Sequence, residues 1–247
     1  MSERNPVATP SELKINLVEN NSIDKLCPYR ELIGPLMYMS IASRPDIANT
    51  VSRLAQFVTN PLKCHWNAAK RILRYLAGTA NRSLLYQKSD LQLVGYADAD
   101  WGGCTADRHS YTEYVFLLSG AAISWKSQKQ RTVALSSTEA EYVSLAESAK
   151  EAVYLRSLLN EIGLHKLADV IIYVDNRGAQ CLANDRVFYA RTKHIDIKHH
   201  FVRECISAGL FSLRHVSSQE MTADVMTKPL TRASHDRCLN GLGLSTE

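Results

Sequence analysis

Leu91-Gln92-Leu93-Val94-Gly95-Tyr96-Ala97-Asp98 is the stretch on which the fold turns. It reads as a β-strand that ends on a carboxylate, and with it the pattern of the chain changes from helical to sheet-like. Downstream, Tyr114-Val115-Phe116-Leu117-Leu118 and Ala121-Ala122-Ile123-Ser124-Trp125 flank Ser119-Gly120, a hairpin signal. A long helix is expected from about Ser137 to Ile162, with Val143, Ala146, Val153 and Leu158 facing inward. Val170-Ile171-Ile172-Tyr173-Val174 is a short apolar run of the buried-strand kind. Helices are expected from about Asn176 and from Ile195 to Ser207, a last strand over Leu210 to Val216, and a helix from Thr222. Three strands, a helix, a strand, helices, a strand and a helix make a mixed α/β sheet with helices packed on it.

Upstream of Leu91 the periodicity is 3.6 rather than 2. Leu32, Leu36 and Met39 share a helical face; Arg44-Pro45-Asp46 breaks the run and Ile47, Val51, Leu54 and Val58 resume it. After Asn60-Pro61, Trp66, Ala69, Ile72, Leu73 and Leu76 continue to Gly78. Three short helices are therefore expected between Pro28 and Gly78. The expected organisation is an extended lead-in over 1–27, a helical segment over 28–80 and the α/β domain over 90–240.

The chain has 247 residues and ordinary apolar content, enough to bury a core. It has no apolar run of membrane-spanning length, and Met1–Pro6 has no apolar signal core, so no membrane partner and no secretion are expected. Six scattered cysteines without a C-x-x-C pair argue against a zinc module, and they read as reduced thiols of a cytoplasmic or nuclear protein. The net charge is +4, but its distribution is more informative. No acidic residue occurs from Ile47 to Ser89, which carries Lys70, Arg71 and Arg74, or from Tyr114 to Thr138, which carries Lys126, Lys129 and Arg131. Such faces suit a polyphosphate ligand, because neutralising phosphates releases counterions. A solvated basic helix face is the plainer alternative.

Four carboxylates sit at the ends of expected elements: Asp98 at the end of the first strand, Glu141 in the first turn of the long helix, Asp175 after the buried strand and Asp224 at the start of the last helix. Hydrolysing a phosphodiester at neutral pH needs an activated water and a stabilised leaving oxygen. Two divalent cations roughly 3.5–4 Å apart supply both. Mg²⁺ takes hard oxygen ligands, so such a site needs several carboxylates converging from different elements. Each has an ordinary alternative. Asp98 and Asp100 share a strand face; Glu141 pairs with Thr138 in a capping box as readily as Glu139 does with Ser136; Asp175 suits a turn and Asp224 a helix start.

Gly95–Trp101, Ile123–Trp125, Ser136–Tyr142, Val174–Asn176, Arg191–Lys198 and Ala223–Leu230 resemble the ribonuclease H region of copia-type retrotransposon Pol polyproteins. Tyr29–Gly34, Arg44–Ala48 and Leu73–Thr79 resemble the helical connection between polymerase palm and ribonuclease H in the same proteins. The resemblance implies a five-stranded ribonuclease H-like sheet and endonucleolytic cleavage of the RNA strand of an RNA–DNA hybrid. It implies two Mg²⁺ or Mn²⁺ ions on Asp98, Glu141, Asp175 and Asp224, choosing Asp98 over Asp100 and Glu141 over Glu139. Lys193 and Lys198, on the Arg191–Lys198 motif, join the basic residues expected to track the hybrid. Polymerase or integrase parts of a Pol chain are the expected protein partners, in a cytoplasmic virus-like particle or the nucleus. The palm and its aspartates have no counterpart here, so DNA polymerisation is not expected.

The chain departs from the family at Glu113, where a small residue is usual; it is read either as harmless on an exposed face or as the mark of a decayed copy. His215 lies earlier than the loop histidine of many cellular ribonucleases H. A folded nucleic-acid-binding fragment without cleavage activity is the alternative reading. His194, His199 and His200 with Asp196 read as a basic or structural helix rather than a metal cluster. Trp66, Trp101 and Trp125 read as core or sheet-packing residues.

Overall fold

The computed structural model describes residues 5–12, 27–88, 92–104, 106–184 and 196–246. The helical segment comprises α1 (Tyr29–Ala42), a single 3₁₀ turn (Pro45–Ile47), α2 (Ala48–Ala55) and α3 (Lys63–Gly78). A short strand β1 (Arg82–Leu84) leads to β2 (Leu93–Asp100), β3 (Tyr111–Leu118) and β4 (Ala121–Lys129). Then follow α4 (Ser137–Glu161), β5 (Val170–Val174), α5 (Arg177–Asn184), α6 (Asp196–Ser207), β6 (Ser212–His215), α7 (Asp224–Thr227), α8 (Arg232–Gly241) and β7 (Leu244–Thr246).

The main sheet has five strands in the order β4-β3-β2-β5-β6. β2, β3 and β4 are antiparallel neighbours, whereas β5 runs parallel to both β2 and β6. This is the mixed ribonuclease H-like sheet expected above. Ser119 and Gly120 both adopt positive φ, 55° and 84°, which gives the β3–β4 turn the twist a hairpin needs. Gly95 sits opposite Phe116, and a Cβ there would come within 2.6 Å of the Phe116 ring, so only glycine lets that ring lie across β2.

One face of the sheet packs on α4, α5 and α6 through Leu93, Phe116, Leu145, Ala149, Ile172 and Val202. The other packs on α7 and α8 through Val115, Met226 and Leu239. The inward face of α4 is built of Leu145, Ala149, Ala152, Leu155 and Leu159, whereas Leu158, expected inward, is exposed. Leu158 lies about 100° around the helix axis from Leu159, which places it off the stripe that meets the sheet. Trp101 is likewise exposed, with its indole N–H bonded to the Ala134 carbonyl at 3.2 Å, because it lies just past the end of β2. Trp66 and Trp125 are partly buried in the cores.

Two strands were not expected. β1 and β7 pair antiparallel, Ser83 opposite Ser245, across most of the length of the chain. Each is three residues long, too short for periodicity to register. The helix expected from Thr222 is also divided, because Pro229 follows Lys228 and ends α7 after four residues.

The helical segment has its own core of Tyr29, Ile33, Leu36, Val51, Leu54, Ile72 and Tyr75. At its centre Arg44 grips both oxygens of buried Asp46, at 3.0 and 2.7 Å, and donates to Thr79 Oγ1 at 2.7 Å. Tyr75 OH donates to the same carboxylate. Removing one member would strand a buried charge. Residues 5–12 lie along α3, where Arg74 donates to the Asn5 carbonyl at 2.8 Å and Arg71 pairs with Glu12 at 3.0 Å.

His235 of α8 is 2 % exposed and meets Tyr75 edge-on at 5.5 Å, joining the C-terminal helix to this network. Burial holds its imidazole below the ordinary value of 6.5, against the pull of Asp46 and Asp236. With the folded pKa depressed, the unfolded chain binds more protons in this range, so stability is lost as pH falls below about 6.5. The contribution of His235 by itself, read as the difference between wild type and His235→Phe, should lower the melting temperature from pH 7 to pH 5 by roughly 3–5 °C for each pK unit of depression. His235→Phe keeps the ring contact and should remove that component; an unchanged pH slope in the variant would refute the assignment.

Candidate active site

Parallel pairing brings the first two carboxylates together. Leu93–Tyr96 of β2 align with Val170–Tyr173 of β5, so Asp98 and Asp175, each two residues further on, lie side by side, Asp98 near the end of β2 and Asp175 just past β5. Both stand at the carboxyl ends of parallel strands, where α/β sites form. Asn176 takes the capping role beyond β5, its Oδ1 accepting from Ala179 N at 3.0 Å, and so Asp175 is left for the site.

Glu141 arrives from α4. The helix is capped by Ser136, whose Oγ accepts from Glu139 N at 3.2 Å, while Glu139 reaches back to Leu135 N at 2.9 Å. The cap thus consumes Glu139. Glu141 lies one residue beyond the first turn in which it was expected, and it faces the strand ends. Carboxylate oxygens of Asp98, Glu141 and Asp175 all lie within 4.8 Å of one another. Among the described residues no other group of three or more acidic, histidine or cysteine side chains is so arranged.

Asp224, the first residue of α7, is buried beside this group but outside the three-residue set. Its Oδ1 lies 2.7 Å from Lys228 Nζ, one helical turn on. Asp100 turns to Arg53 of α2 instead. Asp175 accepts from Ser218 Oγ at 2.7 Å, and a His215 ring nitrogen lies 3.2 Å from the Asp175 carbonyl oxygen. Asp98 Oδ1 accepts from Ala99 N at 2.8 Å, and its carbonyl accepts from Ser144 Oγ of α4 at 2.6 Å.

The electrostatics are those of crowded carboxylates. Burial, with the charges of Asp224 and Asp175 and against that of Lys228, pushes Asp98 up to about 7. Burial and the charges of Asp98 and Asp175 push Glu141 up to about 10. Burial alone would lower Lys228, but the bond to Asp224 and the charge of Asp98 hold it above its ordinary value. Such a cluster gains from any cation that enters it. Its donors are all hard oxygens, without thiol or imidazole, a set that fits Mg²⁺ or Mn²⁺.

Glu113 is not on an exposed face. It is 0 % exposed, opposite Asp98 in the β2–β3 register, and its Oε1 accepts from Asn49 Nδ2 at 3.2 Å and Ser127 Oγ at 2.9 Å. Burial, followed by the charge of Asp98, raises its pKa well above the ordinary value. Both donors meet Oε1, while Oε2 is buried with no hydrogen-bond partner among the described residues, so Glu113 is an integral but only half-satisfied part of the strand pair.

Of the basic residues singled out, Lys126, Lys129, Arg131 and Lys198 line one cavity of about 510 Å³ between β4, α4 and α6, together with Lys150 and Glu147. Lys129 is paired with Asp107 and Lys126 with Glu147. Lys70, Arg71 and Arg74 lie on α3, away from this groove, the latter two engaged with residues 5–12. Lys193 and His194 fall outside the described residues. His199 is buried against Tyr142, ring centroids 4.0 Å apart, in keeping with a structural helix. Sequence reasoning missed Lys228, although its i+4 spacing from Asp224 was a readable signal. It also missed Lys150, and it left Arg53 undistinguished within the acid-free Ile47–Ser89 stretch, because its partner Asp100 is distant in sequence.

No family model matches the chain. It is 40% identical over 252 residues to the Retrovirus-related Pol polyprotein from transposon TNT 1-94 of Nicotiana tabacum, covering 99% of this chain and 19% of that protein. It is 48% identical over 132 residues to Secreted RxLR effector protein 161 of Plasmopara viticola, covering 53% of this chain and 93% of that protein. The foamy viral protease-reverse transcriptase in complex with RNA/DNA hybrid aligns over 87% of this chain and 27% of its own length, with a TM-score of 0.51 and 12% identity, a likeness of fold. The chain spans less than a fifth of the Pol polyprotein that it matches along nearly its whole length, and along that length its homologues are the Pol polyproteins of copia-type retrotransposons.

Proposed function

We propose that this chain is a ribonuclease H-type endonuclease that cleaves the RNA strand of an RNA–DNA hybrid, acting as one part of a retrotransposon Pol protein. The observation that carries the reading is the convergence of Asp98, Glu141 and Asp175, from three separate elements, on one oxygen-only cluster. Asp98, Glu141 and Asp175 would hold a divalent ion, with Asp224 beside them to share a second. When bound there, Mg²⁺ or Mn²⁺ lowers the pKa of water toward neutrality and offsets charge on the departing 3′ oxygen.

The chain's own residues have separate tasks. Ser218 and Ala99 N hold Asp175 and Asp98 by 2.7 and 2.8 Å hydrogen bonds, which fixes the carboxylates before substrate arrives. Lys228 offsets part of the cluster's charge through Asp224. Lys126, Lys129, Arg131, Lys150 and Lys198 form a basic wall for backbone phosphates. Contacts with 2′-hydroxyls would distinguish the RNA strand. Polymerase or integrase parts of a longer Pol chain are the protein partners this reading implies.

Three measurements test it. The purified chain with Mg²⁺ or Mn²⁺ should cut the RNA strand of a labelled hybrid, and Asp175→Asn should lower the rate by at least about a hundredfold. Hybrid binding by wild-type protein without cleavage under either metal would favour the inactive binding-fragment reading. Saturating Mn²⁺ should raise the wild-type melting temperature, since a ligand of the folded state alone stabilises it, and Asp175→Asn should lose most of that rise. Arg131→Ala with Lys198→Ala should weaken hybrid binding and lower its salt dependence by about one unit per lost phosphate contact. Unchanged salt dependence would remove the groove from the interface.

A further inference from the structure

We propose that helix α2 of the N-terminal helical segment is a positioning element of the carboxylate site, with Arg53 as its principal residue. This inference deepens the hydrolase reading and rests on it for its kinetic consequences.

Asn49, Arg53 and Gln56 recur at i, i+4 and i+7, one polar stripe along α2 and its C-cap, opposite the apolar stripe that packs in the segment's own core. Each touches the strand pair that carries Asp98. Asn49 Nδ2 donates to Glu113 Oε1 at 3.2 Å, and Glu113 is the residue paired with Asp98 across β2 and β3. Arg53 pairs with Asp100, donates to the Gly103 carbonyl at 3.4 Å and stacks over the Tyr111 ring at 4.7 Å. Asp100 and Tyr111 are themselves cross-strand partners. Gln56 donates to the Tyr111 hydroxyl and accepts from Lys129 Nζ at 2.9 Å.

The stripe therefore grips both cross-strand pairs that flank the end of β2, at Asp98 and at Asp100. From the far face, Ser144 of α4 bonds the Asp98 and Glu113 carbonyls at 2.6 and 2.9 Å. The strand end is clamped from two sides.

Arg53 also separates two chemically equivalent residues. Asp98 and Asp100 project from the same strand face and either carboxylate suits a divalent ion. The guanidinium engages Asp100 in a charge-assisted bond with 17 % exposure on the arginine side chain and 23 % on the aspartate. Asp100 is thereby committed to α2 and the loop that starts at Trp101, and Asp98 alone is presented to Glu141 and Asp175.

The test uses the full chain and compares wild type, Arg53→Ala, Arg53→Lys, Asp100→Asn and Arg53→Ala with Asp100→Asn, each assayed well below its melting temperature. Steady-state cleavage of the hybrid, Mn²⁺ affinity by titration calorimetry and amide exchange over β2 and β3 are read in parallel. Arg53→Ala should lower kcat about tenfold with KM within about twofold, because misplacing a reacting group acts on the transition state. It should weaken Mn²⁺ binding several-fold and speed exchange at the end of β2. Arg53→Lys should recover part of each, since it retains the charge opposite Asp100. Asp100→Asn should add little to Arg53→Ala, as expected of coupled partners.

Wild-type kcat and Mn²⁺ affinity in Arg53→Ala would overturn the inference, as would a lowered kcat with native exchange over β2 and β3. If wild type itself does not cleave, the hydrolase reading fails, and Mn²⁺ affinity and exchange still decide whether α2 positions the cluster.

Discussion

The parallel pairing of β2 with β5 is the constraint on which the rest of the structure depends. It sets Tyr96 beside Tyr173, their rings stacked at 5.3 Å, and two residues further it sets Asp98 beside Asp175. Parallel neighbours cannot be joined by a tight turn and need a crossover, which here includes β3, β4 and α4. That crossover carries Glu141 to the same end of the sheet. The site is thus a consequence of topology: three carboxylates meet because the chain must leave and re-enter the sheet in one direction.

Bringing those carboxylates together works against folding. Burial and mutual repulsion raise both Asp98 and Glu141, so the cluster is a local strain that the rest of the protein offsets. The offset comes from apolar cores on both sheet faces and from fixed donors around the acids, among them Ser218, Ala99 N and Lys228. A cation would relieve the strain directly, which couples metal binding to stability.

The helical segment is joined to the rest of the fold by polar and ring contacts. Trp125 donates its indole N–H to the Ser40 carbonyl at 2.7 Å, Asn49 meets Glu113, and His235 packs against Tyr75. Buried polar contacts are directional, so they hold one relative placement where an apolar seam would tolerate sliding. Glu113 shows the consequence: a carboxyl that looks misplaced in a strand is the acceptor through which α2 and β4 hold β3.

The sequence by itself determined the elements whose causes are local. The alternation in β2, the Ser119-Gly120 turn, the Ser136 cap of α4 and the apolar run of β5 each rest on neighbouring residues, and so did the placing of four acids at element ends. The partner of a residue far along the chain was decided only by the tertiary structure. Asp98 and Asp100 have the same local pattern, and Arg53, 47 residues before Asp100, separates them. Glu139 and Glu141 offered rival caps until the geometry of Ser136 settled which one was spent. Glu113 reads as exposed because its partner Asn49 is 64 residues away, and β1 and β7 pair across the whole fold. Periodicity records how a residue relates to its own helix or strand, while burial, charge pairing and convergence depend on which elements the fold brings alongside.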